Sequence, residues 1–229
     1  MKSLIAAGVL AVLGALPAHA DQREGFYWGV DLGQSSYDLD ENGLNRSLEN
    51  SLADAGYTVL DGSSDTSEDG FTWGITVGYQ IFRYLAVEAA YVDLGNAEYK
   101  NRSTVTDGVS NFALGTTIEA DSAGPVVSVL GTLPVGAGWE FYGRVGGYFG
   151  SNDASADLTL DGVGDALEDD SSSQSLMWGV GAGYSRGQWS TRLEYQQYTD
   201  VGDDDGFGEV DVNRIVFSAV YNTGFSFRR

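Results

Sequence analysis

The chain has 229 residues, no cysteine, a single histidine at position 19 and a formal charge of −21. Such a composition excludes disulfide and thiolate-metal scaffolds, and its acidity repels nucleic acid and anionic headgroups. His19 lies in a segment expected to be removed, so Ser-His triads, His-ligated zinc and His general bases are excluded from the mature protein.

That segment runs from Met1 and Lys2 through apolar residues 4–16 to Ala18-His19-Ala20, and reads as a secretory signal peptide cut after Ala20. Residues 1–20 are expected to be the leader and 21–229 a single domain; losing Lys2 takes the charge from −21 to −22. No segment offers the roughly 20 continuous apolar residues of a membrane helix.

From position 25 onward the chain alternates with period two, the mark of strands with two unlike faces. In the first, "FYWGVDLG", Phe26, Trp28, Val30 and Leu32 oppose Tyr27, Gly29, Asp31 and Gly33. The second, "FTWGITVGYQI", sets Phe71, Trp73, Ile75, Val77, Tyr79 and Ile81 against Thr72, Gly74, Thr76, Gly78 and Gln80. Eight strands are predicted, at residues 25–39, 71–81, 84–94, 117–133, 139–150, 175–185, 189–201 and 212–227, with Pro125 interrupting the fourth. In the last, Ile215, Phe217, Ala219, Tyr221, Phe225 and Phe227 hold one parity.

The connections alternate too. Tight turns near Phe82-Arg83, at 135–138 and at 186–188 take turns with acidic, Gly/Ser/Asn-rich stretches at 38–70, 98–121, 152–173 and 200–211, expected to be loops. Short turns at one end and long loops at the other describe an all-β, eight-stranded antiparallel up-and-down transmembrane β-barrel. Leu44, Leu48 and Leu52, four apart, predict a short helical turn within the first loop. A soluble ligand-binding barrel is the competing architecture. Two features favour the membrane: the polar parity is mostly Gly, Thr and Ser, and tryptophan lies near strand ends. Trp28, Trp139 and Trp189 begin strands leaving the turn end, and Trp73 and Trp178 begin strands leaving the loop end, as two interfacial girdles would require.

"LAVEAAYVDLG" (85–95), "FYGRVGGYFG" (141–150), "TRLEYQQYTD" (191–200) and the aromatic final strand resemble the OmpA-type eight-stranded outer-membrane barrels, over nearly the whole mature chain. The resemblance implies a Gram-negative cell outer membrane location, insertion by the barrel assembly machinery and a charged plug in the lumen. It covers the barrel only, with no peptidoglycan-binding domain expected after it. Arg228-Arg229 follow Phe227 where such barrels usually end on an aromatic residue, and Gly183 stands where a lumen carboxylate of the family would align.

If the aromatic parity faces lipid, the other faces a lumen that side chains fill. The lumen charges are then Asp31, Glu88 and Glu194 against Arg144, Arg192 and Arg214, balanced in sign. Glu88, Arg144 and Arg192 each follow a tight turn by a few residues, so similar heights on parallel strands bring them together. Static packing is the plain reading of such a network, and a gate whose ion pairs rearrange is the functional one. Neighbouring arginines would hold Glu88 and Glu194 ionised, which argues against acid catalysis.

"DTSEDG", 65–70, matches half a calcium loop through Asp65 and Asp69, but its twelfth position is Thr76 and not a bidentate Glu; Asp203 and Asp205 in "DDDG" are weaker still. No metal site of defined geometry and no cofactor is expected. Loose divalent cations bridging the acidic loops to lipopolysaccharide phosphates are expected instead. The reading is a non-enzymatic, monomeric outer-membrane barrel with a structural or surface-interaction role and a plugged lumen; the alternative is a narrow porin-like diffusion channel for water and small solutes.

Overall fold

The computed structural model describes residues 24–38, 41–67, 69–161, 163–203 and 208–225. The expected leader with its cleavage site, Asp205, and the Phe227-Arg228-Arg229 terminus lie outside the described residues. In chain order the elements are β1 (Gly25–Asp38), α1 (Glu41–Asp54), β2 (Thr58–Ser67), β3 (Asp69–Phe82), β4 (Leu85–Thr106), β5 (Asn111–Gly136), β6 (Trp139–Leu160), β7 (Val163–Arg186), β8 (Trp189–Asp203) and β9 (Gly208–Asn222). The strand order β4-β3-β1-β9-β8-β7-β6-β5, with β5 pairing back onto β4, closes a ring of eight. Every ring pairing is antiparallel. Closure leaves no unpaired edge within the ring, which is what lets strands cross lipid; no helix among the described residues is long and apolar enough to do so.

The period-two pattern translates directly into two faces. Phe26, Trp28, Val30 and Leu32 of β1 are exposed, whereas Tyr27 and Asp31 are buried. The same outward belt continues through Ile75, Val77, Val127, Val145, Val180, Leu193, Ile215 and Phe217. Exposed apolar side chains in a continuous band are what a lipid-facing surface requires.

Three expectations need correction. The acidic stretches at 98–121 and 152–173 are not long loops: β4 continues to Thr106 and β5 begins at Asn111, and β6 continues to Leu160 and β7 begins at Val163. Their Gly, Ser, Thr and Asp side chains blur the alternation, but each backbone finds a neighbouring ladder, and that ladder carries the strand outward. Second, the first connection holds a ninth strand, β2, appended to the outer part of β4; the predicted helical turn before it is the full helix α1. Third, Trp178 does not begin its strand, because β7 extends outward well past it, while Trp139 and Trp189 do open β6 and β8. Pro125 sits within β5 opposite Tyr91, and the β6 ladder skips Gly124 and Pro125, as a residue without an N–H demands.

A bulge between Asp93 and Asn96 keeps β4 coherent, with Gly95 at φ +77°. Before it the buried parity is Val92 and Leu94; after it the buried parity is Ala97 and Tyr99. The extra residue shifts the alternation by one, so the inward face of the barrel continues unbroken into the outer sheet.

Candidate functional site: the lumen ion-pair layer

The six charges proposed for the lumen are all buried. The ring brings four of them together. Arg144 of β6 approaches Glu88 of β4 at 2.9 Å and Glu194 of β8 at 2.9 Å, and Arg192 of β8 approaches Glu88 at 2.8 Å. Arg192 Nη1 donates a directed hydrogen bond to Glu88 Oε1. The Arg144 contacts lack hydrogen-bond geometry, so they act as close charge contacts. Two carboxylates and two guanidiniums thus close on one another with no net charge. In a buried site that closure offsets desolvation, and deleting one member costs about 3–5 kcal/mol.

Two tyrosines complete the layer. Tyr27 Oη donates to Glu88 Oε1 at 2.6 Å, and Tyr142 Oη donates to Glu194 Oε2 at 3.1 Å. Their rings also sandwich Arg192, whose guanidinium carbon is 5.4 Å from the Tyr27 centroid and 5.5 Å from that of Tyr142. Glycine makes room for both rings: a Cβ on Gly78 would come within 2.3 Å of Tyr27, and one on Gly181 within 2.6 Å of Tyr142. The signal for Tyr27 was its place among Gly29, Asp31 and Gly33 on the polar parity.

Gly183 also has a physical account. It pairs with Glu140 and Arg192 on its two sides, and a Cβ there would meet Glu140 Oε1 at 3.0 Å. The carboxylate over this position comes from the neighbouring strand, a residue that the alternation alone did not single out.

Asp31 and Arg214 stand apart from the closed layer. Asp31 accepts a hydrogen bond from Thr76 Oγ1 at 3.1 Å. Arg214 donates from Nη1 to Gln196 Oε1 at 3.1 Å, its Nε and Nη2 have no hydrogen-bond partner, and it forms no ion pair among the described residues.

Apolar layers flank the charges. On the turn side lie Tyr27, Ala86, Leu130, Tyr142 and Val220. On the far side lies a larger cluster that includes Leu94, Tyr148, Met177 and Tyr198.

All five tryptophans are exposed. At the turn end Trp28 and Trp189 both approach Tyr221, at 6.1 and 5.0 Å, and Trp139 lies 5.1 Å from Tyr184. Farther along, Trp73 lies 6.4 Å from Tyr91 and Trp178 5.9 Å from Tyr195. Trp73 Nε1 also donates to Asp93 Oδ2 at 3.1 Å, a polar anchor suited to an interface.

Beyond that second aromatic level the outer sheet sets like charges face to face: Glu98 opposite Glu119, and Asp121 opposite Asp153. Partial burial first, then the nearby Asp93, Glu119 and Asp153 carboxylates, push the Asp121 carboxyl above its ordinary range. At the β4–β5 tip the reverse holds, where the backbone N–H groups of Ser110 and Val109 donate to Asp107 and lower it. Asp65 lies in β2, Asp69 begins β3, and Asp203 ends β8. Among the described residues no group of three or more potential ligands gathers in metal-binding geometry.

Comparison with known proteins identifies the family of the chain. The profile of the OmpA-like transmembrane domain matches residues 21–226. Outer membrane protein A of Serratia marcescens is 28% identical over 204 residues, covering 88% of this chain and 50% of that protein. Its counterpart in Yersinia pseudotuberculosis is 28% identical over 209 residues, covering 90% and 51%. The chain therefore spans about half the length of these curated relatives. Among solved structures, Neisserial surface protein A is similar at a TM-score of 0.44 and 15% identity, covering 86% of this chain and 97% of that one. Ail of Yersinia pestis is similar at 0.41 and 14%, covering 86% and 98%. The chain is an outer-membrane β-barrel protein and belongs to the OmpA-like transmembrane domain family.

Proposed function

We propose that this protein is a closed structural barrel whose outer sheet does surface-interaction work, and that it is not an enzyme. The observation that carries the closed reading is the Glu88, Arg144, Arg192 and Glu194 layer, neutral in sum, buried, and flanked by apolar layers on both sides. Such an interior stiffens the ring and leaves no charge poised for proton transfer, because each carboxylate is committed to a guanidinium.

The outer sheet supports the second half. Strands β4 to β7 project beyond the second aromatic level and carry the carboxylates of Glu98, Glu119, Asp121 and Asp153. With the tight turns in the periplasm, the leader cleaved after Ala20 and the barrel inserted by the assembly machinery as a monomer, this sheet stands outside the cell. There it meets the lipopolysaccharide layer, with loosely held divalent cations between carboxylates and phosphates.

A narrow diffusion channel is the alternative, and Arg214 is the observation that favours it: a buried guanidinium outside the closed layer could draw a carboxylate away from it. A deletion strain divides the two. The closed-barrel reading expects unchanged uptake of small hydrophilic solutes and altered attachment or envelope stability; slowed solute uptake with unchanged attachment sinks it.

A further inference from the structure

The interior holds a second barrier besides the ion pairs, and the two differ in kind. One apolar or aromatic side chain from each of six consecutive strands converges on the far side of the charges: Leu94 of β4, Val126 of β5, Tyr148 of β6, Met177 of β7, Tyr198 of β8 and Val212 of β9. All six are essentially inaccessible. The Tyr148 and Tyr198 rings come from strands that are not neighbours and meet edge to face at 5.3 Å. Their hydroxyls point apart. That of Tyr148 lies 2.7 Å from Ser122 Oγ on the far side, and that of Tyr198 donates to Gln196 Oε1 at 3.0 Å toward the charges. Both hydroxyls are hydrogen-bonded at the two borders, and between them the two rings pack with Leu94, Met177 and Tyr37 of β1 in one buried apolar cluster.

Water and ions treat the two layers differently. Breaking an ion pair leaves polar groups that water can solvate, so that layer can be hydrated in place. An apolar constriction offers no replacement for a hydration shell, and it stays dry unless it is widened or made polar.

We propose that the barrier to ions in this barrel is the apolar collar at Leu94, Met177, Tyr148 and Tyr198, and that the ion-pair layer beneath it holds the strands together without itself sealing the lumen. The inference rests on the closed-barrel reading and locates the closure within it.

Planar-bilayer recordings on the full mature barrel test it, with heat-modifiable gel migration admitting only folded samples. Four proteins are compared: the unaltered chain, Arg192→Ala, Met177→Gln and Leu94→Asn. The last two exchange an apolar side chain for a polar one of comparable length, so either suffices if the other does not fold. The expected result is silence from the unaltered protein and from Arg192→Ala, with a gain of ion conductance in Met177→Gln or Leu94→Asn. Conductance in Arg192→Ala alone, or silence from every folded collar variant, overturns the collar while leaving the closed-barrel reading in place. Conductance in the unaltered protein overturns both.

Discussion

Arg192 and Glu88 lie 104 positions apart in the chain and meet at 2.8 Å across the barrel interior, one from β8 and the other from β4. Their strands stand opposite each other in the ring, four steps apart through β5, β6 and β7 and four through β3, β1 and β9, so the contact reports on closure as well as on charge.

Replacing Glu88 by Ala removes the acceptor of Arg192, the counter-charge shared with Arg144 and the partner of Tyr27. The loss is expected to be about 3–5 kcal/mol, because two guanidiniums then remain buried with one carboxylate. Urea unfolding in lipid vesicles, followed by tryptophan fluorescence, measures it. In a double-mutant cycle with Arg192→Ala the coupling should exceed about 0.5 kcal/mol; simple additivity would show that the pair is not a unit.

Gly78→Ala would drive a methyl group into the Tyr27 ring, which the hydrogen bond to Glu88 holds in place. The expected cost is about 1–3 kcal/mol, the ordinary range for overpacking. Pairing it with Tyr27→Leu should recover part of that loss in the same unfolding assay, whereas Gly147→Ala, where a Cβ meets nothing closer than 3.4 Å, should be far milder.

The outer sheet should respond to pH with two opposite signs. Asp121 is raised when folded, so its contribution is greatest in acid and is lost as pH rises through the window above the ordinary Asp value of about 3.9. Asp107 is lowered when folded, so its contribution is present above that value and is lost as pH falls through the window beneath it. Hydrogen-exchange protection of the β4–β5 hairpin, corrected for intrinsic rates, should rise on mild acidification and fall again in stronger acid. Asp121→Asn should flatten the rise and leave the fall.

The aromatic levels predict a depth. In single-tryptophan variants retaining Trp139, Trp189 or Trp73, lipids brominated near the headgroup should quench more strongly than lipids brominated at the chain ends. Stronger quenching from the chain ends would place these rings at mid-bilayer and contradict the girdle assignment.

The ring itself was legible in the sequence because each of its strands separates two solvents, lipid outside and packed lumen inside, and that contrast writes itself as alternation. Val30 against Asp31 and Leu193 against Arg192 need no structure to interpret. The convergence of Glu88, Arg144 and Arg192 followed from their similar heights, each a few residues beyond a tight turn. What lay beyond reach was anything set by register between distant strands. β2 and the outer halves of β4 to β7 are held by backbone ladders whose side chains carry little contrast. The Gly95 bulge reverses parity within one strand. Tyr142 and Glu140 belong to the site because of what stands opposite them, Gly181 and Gly183, and neither glycine announces its partner from its own segment.

The most direct test of a closed interior is ion conductance of the unaltered, folded mature barrel in planar lipid bilayers. A closed interior predicts a flat trace at every applied voltage the membrane withstands. Sustained, reproducible openings from protein shown to be folded by heat-modifiable migration would contradict it.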